Sequence, residues 1–215
     1  MIGQSITRNS ILLGMFAIAT GTLLAGSYLL TKDRIAEEAR KAEEKALLQI
    51  VPRERHDNSM LDDTLPVGPQ ITELGLRDDK RIYLAKKGSN VVAAIIPATA
   101  RDGYSGDIDL IVGVNADGSV AGVRALSHKE TPGLGDKVDL AKSDWILSFD
   151  GKSLSDPAPS GWAVKKDKGD FDSFTGATIT PRSVVAATRR VLEYAAANSE
   201  TLYGASAQEP QEGEQ

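Results

Sequence analysis

The chain has 215 residues, 41% of them hydrophobic and 26% charged, which is the composition of a globular domain and not of a disordered polymer. The net charge of −5 with scattered Lys and Arg offers no basic footprint, so nucleic acid is excluded as a partner. With no Cys and only His56 and His128, disulfides, iron–sulfur clusters, thiolate nucleophiles and His-rich metal centres are excluded too; redox chemistry here needs an organic cofactor.

Residues 11–30, following a short N-terminal segment 1–10, carry no charge and are bracketed by Arg8 and Lys32. As a helix at about 1.5 Å per residue they span roughly 30 Å, the depth of a bilayer core. A cleaved signal peptide is the competing reading, but its apolar region is shorter, and here the apolar run resumes with Tyr28, Leu29 and Leu30 after its small residues. Ala17, Gly21 and Ala25 recur every four residues, a spacing that allows close approach of another helix and is also ordinary in membrane segments. Counting Lys and Arg on the two sides puts more of them after the span, yet acidic residues alternate with them; charge alone leaves the orientation undecided.

Residues 31–50 are rich in strong helix formers, with Arg34/Glu38 and Glu37/Lys41 at i,i+4, and read as a solvated helical stalk closed by Pro52. A loop-rich lead-in covers 53–72. The runs 81–86 and 91–97, separated by 87–90, which contain Gly-Ser-Asn, predict a hairpin. Ala116-Asp117-Gly118 between 108–115 and 119–126 predicts a second one. A Gly/Pro segment, 128–136, and a polar stretch to Asp172 follow. Residues 180–197 show the 3.6-residue apolar period of a helix, with Thr180 as its N-cap and Pro181 at its first position. The predicted architecture is α+β: one transmembrane helix, then an antiparallel-sheet domain over 51–203 with a closing C-terminal helix. Residues 204–215 read as a disordered tail.

Two segments carry chemistry. In Asp172-Ser173-Phe174-Thr175-Gly176-Ala177-Thr178, the Thr178 hydroxyl precedes a helix N-terminus, where an anion is well received, and Arg182 is available to add a charged contact. Read from residue types alone this is also an ordinary turn and cap; unaided, a Thr hydroxyl is a poor nucleophile. The segment resembles the flavinylation motif Asp-x-x-(Ser/Thr)-Gly-Ala-(Thr/Ser) read by bacterial FMN transferases. That resemblance implies that FMN is joined through its phosphate to Thr178, with Asp172, Thr175, Gly176 and Ala177 as recognition positions.

The second segment, His128-Lys129-Glu130-Thr131-Pro132-Gly133-Leu134-Gly135, resembles the Glu-Thr-Pro-Gly-Leu-Gly signature of FMN-binding domains in two membrane complexes. One domain is the G component of the Rnf (Rsx) electron-transport complex, the other the C component of the sodium-translocating NADH:quinone reductase; chain length favours the former. The resemblance implies that Glu130, Thr131, Leu134 and Gly135 wall a flavin pocket on which Tyr104, Trp145, Trp162 or Phe174 stacks, though large aromatics are more often core residues. His128, without a visible metal partner, reads as a surface residue. It further implies a redox subunit anchored in the bacterial inner membrane, its FMN domain in the periplasm. Its partners would be the other subunits of an ion-translocating complex, lipid, and an FMN transferase during maturation. A tethered assembly domain without cofactor is the alternative of a different class.

Overall fold

A computed structural model describes residues 2–204; the expected tail from 205 onward lies outside them. The chain divides into two compact units at Glu43/Glu44. The first is the bulk of α1 (Ile2–Ile50), and among the described residues this is the one helix long and apolar enough to cross a membrane. Three of its threonines bond locally: Thr20, Thr22 and Thr31 donate to the carbonyls of Phe16, Ile18 and Ser27, four residues back, at 2.8–2.9 Å. Such bonds to the preceding turn are open to a Thr in any helix. Farther on, Lys41 pairs with Glu37 at 2.8 Å.

The second unit is built on an antiparallel sheet whose spatial order is its chain order: β1 (Thr64–Pro66), β2 (Arg81–Lys87), β3 (Asn90–Ala100), β4 (Ile108–Asn115) and β5 (Val120–Ser127). Gly88 and Ser89 make the two-residue turn between β2 and β3, with Gly88 at φ +61°; Gly118, at φ +82°, closes the turn before β5. Strand β3 runs three residues beyond the expected stop at Pro97. Its pairing with β2 ends at Tyr83↔Ile95, so the missing N–H of Pro97 breaks no ladder bond on that side. Strand β1 falls inside the expected loop-rich lead-in and is held by three register partners on β2, from Thr64↔Tyr83 to Pro66↔Arg81.

Alternation divides the strands between two cores. Ala94, Ile96, Ala98, Ile108, Leu110 and Val112 face the amphipathic helix α2 (Ile179–Ala197), the short α3 (Ser199–Tyr203) and a series of 3₁₀ turns within 135–167. These turns lie in the expected polar stretch, which buries Val138, Ile146, Phe149, Trp162 and Phe171. Ala93, Ile95 and Ile111 face the opposite way, onto Leu47, Ile50, Val51 and Met60. This corrects the stalk reading: the end of α1, from Glu44, belongs to the second unit, and Leu47 and Ile50 are buried, not solvated. The reason is a vacancy in the sheet. Gly113 and Gly122 are register partners on β4 and β5, and Ile50 occupies the room their missing side chains leave. Arg124 then fastens the helix end, donating from Nη2 to the Gln49 carbonyl (3.0 Å) and from Nε to its Oε1 (3.2 Å).

Candidate functional site

Both chemistry-bearing segments fold into the same kind of turn. In Thr131-Pro132-Gly133-Leu134, Leu134 N–H donates to the Thr131 carbonyl at 3.1 Å and Gly133 stands at φ +77°. In Phe174-Thr175-Gly176-Ala177, Ala177 N–H donates to the Phe174 carbonyl at 3.1 Å and Gly176 stands at φ +82°. A positive φ at the third turn position is what calls for Gly, and Pro at the second presets its neighbour. The turns touch: a Cβ placed on Gly176 would lie 3.5 Å from Leu134 Cδ2.

Between them opens a cleft of about 370 Å³. Its lining contains Glu130, Thr131, Leu134 and Gly135 from the first segment and Gly176, Ala177 and Thr178 from the second, with Tyr104, Ile179 and Thr180. The size lies in the range of small-molecule sites, and the lining mixes exposed apolar side chains (Tyr104, Leu134, Ile179) with a few polar groups. Of the positions singled out from sequence, Asp172 and Thr175 stay outside this lining. Asp172 is exposed on the approach to the turn, its carboxylate 2.7 Å from Lys165 Nζ and its carbonyl accepting Trp145 Nε1–H at 2.8 Å. Thr175 is exposed at the turn itself.

Thr178 is the N-cap of α2, two residues earlier than the expected Thr180. Its hydroxyl makes no capping bond, and the first intrahelical bond to reach it is Arg182 N–H to Thr178 O, at 3.3 Å. The amides of Ile179 and Thr180 therefore precede the helix ladder, and Pro181, third in the helix and not first, has none to satisfy. The Thr178 hydroxyl thus sits where the helix dipole favours an anion. Arg182 does not serve that site. Its guanidinium forks onto Asp167, with Nη2 2.6 Å from Oδ1, and this hydrogen bonding holds the Asp167 carboxyl below the ordinary carboxylate value and raises Arg182.

Glu130 is the least expected group: a carboxylate only 5% exposed. Oε1 accepts Ser105 N–H at 2.8 Å, and Oε2 accepts the Thr180 hydroxyl. His128, read as a surface residue, is half-buried, and its Nδ1 accepts Glu130 N–H at 3.2 Å. Of the aromatics, only Tyr104 lines the cleft. Trp162 and Phe174 are core residues. Trp162 stacks toward Phe149 and Phe171, donating Nε1–H to Ser153 O. Phe174 packs edge-on to Trp145, whose role is to pin the Asp172 carbonyl. Ile179 and Thr180 were not singled out as cleft residues, nor Ser105 as a partner of Glu130. Ser105 lies in a Gly-rich turn whose residue types point nowhere, and Thr180 was readable only as a cap.

Residues 103–193 match the family model described as FMN-binding domain, and residues 1–50 match the one described as RnfG N-terminal region. The class defined by fold and cleft is therefore an FMN-binding domain preceded by an apolar N-terminal helix. The chain is 50% identical over 200 residues to the G component of the ion-translocating oxidoreductase complex of Pseudomonas aeruginosa (strain UCBPP-PA14), covering 93% of this chain and 92% of the relative. It is 46% identical over 203 residues to the counterpart of the same name from Pseudoalteromonas atlantica (94% of each chain), and 47% identical over 193 residues to that of Escherichia coli K12 (89% and 92%). The chain belongs to this family, the G components of ion-translocating oxidoreductase complexes, which decides between the two complexes whose signature the Glu130 loop resembles.

Proposed function

We propose that this chain is a membrane-anchored electron carrier of an ion-translocating oxidoreductase complex, holding FMN in phosphoester linkage on Thr178. The anchor is 11–30, the FMN domain lies in the periplasm, and the other subunits supply its electron donor and acceptor. The observation carrying this reading is that the uncapped Thr178 hydroxyl opens onto the cleft that joins the two motif turns.

The residues present fit the group. Ile179 and Thr180 N–H, at the positive end of α2, suit a phosphate on Thr178, and Gly176, exposed at its turn, lets a flat ring approach the backbone. Leu134, Ile179 and Tyr104 offer it apolar walls. Attachment by an FMN transferase forms the Thr178 Oγ–phosphorus bond and breaks the pyrophosphate of FAD; the hydroxyl proton is lost and AMP departs. Among the described residues no basic group is hydrogen-bonded to the Thr178 hydroxyl, which agrees with modification by a second enzyme. Once bound, the flavin supplies one- and two-electron transfer, while this chain retains it, orients it and limits its contact with water.

The test is flavin fluorescence of the denatured band on a gel, for wild type and Thr178→Ala, each coexpressed with a transferase of shown activity. Fluorescence in the wild type that is lost in the variant is expected. A dark wild-type band removes covalent attachment and leaves the tethered assembly domain.

A further inference from the structure

We propose that Glu130 is a positioning residue with an electrostatic role: its buried carboxylate ties the walls of the cleft together and lowers the reduction potential of the flavin bound there. This rests on the FMN reading above and deepens it.

Two separate segments converge on this one side chain. Ser105, from the β3–β4 connection, donates its N–H to Oε1 at 2.8 Å. Thr180, in the first turn of α2, donates its hydroxyl to Oε2. Glu130 itself opens the β5-side turn, with its own N–H on His128 Nδ1. The tie therefore runs from the wall bearing Tyr104 through the Thr131–Gly135 turn to the helix end bearing Thr178.

The surroundings are cleared for this carboxylate. A Cβ on Gly135 would lie 2.7 Å from Oε2 and 2.8 Å from Thr180 Oγ1. Gly135 is not at a positive φ, so its backbone does not require glycine; the Glu130–Thr180 contact does. The glycine after Leu134 in the motif thus has a local physical reason.

The charge is satisfied by neutral donors alone. Among the described residues, no Lys, Arg or His forms an ion pair with Glu130. Hydrogen bonds from an amide and a hydroxyl stabilise a carboxylate without cancelling its field. Two-electron reduction of a flavin with uptake of one proton adds one negative charge to it. A fixed negative charge lining the same partly enclosed cleft opposes that step.

The experiment uses the full chain coexpressed with the transferase. Loading is read by in-gel fluorescence and the midpoint potential by spectroelectrochemical titration of the flavin absorbance. Glu130→Gln removes the charge and keeps the shape. The expected result is a loaded variant whose reduction equilibrium favours the reduced form roughly tenfold more than wild type, about 30 mV upward for a two-electron couple. A loaded variant titrating within a few millivolts (~5) of wild type overturns the electrostatic role. Thr180→Val carries the test if the Gln variant does not load, because it keeps the charge and removes a donor: its potential falls, and a rise or no change overturns the proposal. An unloaded wild type refutes the FMN reading instead, so the two failures are distinct.

Discussion

Ile50 and Gly113 provide the sharpest test of how the end of α1 is held. A Cβ on Gly113 would come to 2.3 Å from Ile50 Cγ2 and 3.2 Å from Ala121 Cβ, where ordinary contact begins at 3.4 Å. Gly113→Ala therefore forces Ile50 outward by about 1 Å, or bends the β4–β5 pair, at an expected cost of about 1–3 kcal/mol. Part of that is offset by the reduced freedom of the unfolded chain, roughly 0.4–1 kcal/mol. Ile50→Ala alone empties the site and should cost about 2–5 kcal/mol. In the double variant the new methyl moves into space that Ile50 has left, so the combined loss should fall short of the sum by about 1–2 kcal/mol. The assay is denaturant unfolding of the full chain in detergent micelles, followed by the fluorescence of Trp145 and Trp162, which pack in and against the core on the other side of the sheet. Losses that add to within about 0.5 kcal/mol would mean that Ile50 and Gly113 do not touch in solution, and the docking of α1 would have to be redrawn.

Two further outcomes are expected. Gly176→Ala meets no steric wall, since its nearest neighbour is Leu134 at 3.5 Å, so its cost is backbone strain at φ +82°, about 1–2 kcal/mol. Asn should be tolerated better there and Val worse; thermal melts giving Ala the same midpoint as Gly would remove the turn argument. The Asp63 carboxyl is held below its ordinary 3.8 by hydrogen bonds from Lys86 Nζ (2.6 Å) and Asn58 Nδ2 (2.7 Å). A depressed folded value means this stabilisation is complete above pH 3.8 and is lost as pH falls through the lowered value. Lys86→Met should therefore destabilise the chain near neutrality by an amount that shrinks below pH 3.8, and a pH-independent difference would contradict it.

What the sequence announced, it announced through local physics. Both hairpins and α2 follow from turn residues and period: Gly88-Ser89, Asp117-Gly118, and Val184, Thr188, Val191 and Leu192 on one helix face. Elements set by distant partners were not legible. Strand β1 is three residues with a Pro and exists because Tyr83, Ile82 and Arg81 pair with it. Leu47 and Ile50 leave solvent because glycines on β4 and β5 make room, and the mildly apolar face of 31–50, which holds Ala46 and Ile50, is too weak a signal to show it. The 3₁₀ turns of 135–167 bury aromatics with no regular period to reveal them. At the cleft, motif glycines and Thr178 were readable, whereas the burial of Glu130 depends on Ser105 and Thr180, which lie 25 and 50 residues away. The helix start moved from Thr180 to Thr178 because the Thr180 hydroxyl is engaged by Glu130 and buried, and so is not free to cap.

The strand order β1 to β5 has a consequence for how the molecule comes into being. Synthesised from the N-terminus, each strand emerges beside one already made, so every pairing closes a short loop and none waits for distant chain. The cleft is the exception. One wall ends at Gly135, and the other arrives with Gly176 to Thr180, after a long detour through 3₁₀ turns. The Thr178 hydroxyl is thus among the last surfaces to form, and any enzyme that reads the folded turn would meet this chain only once its sheet is complete.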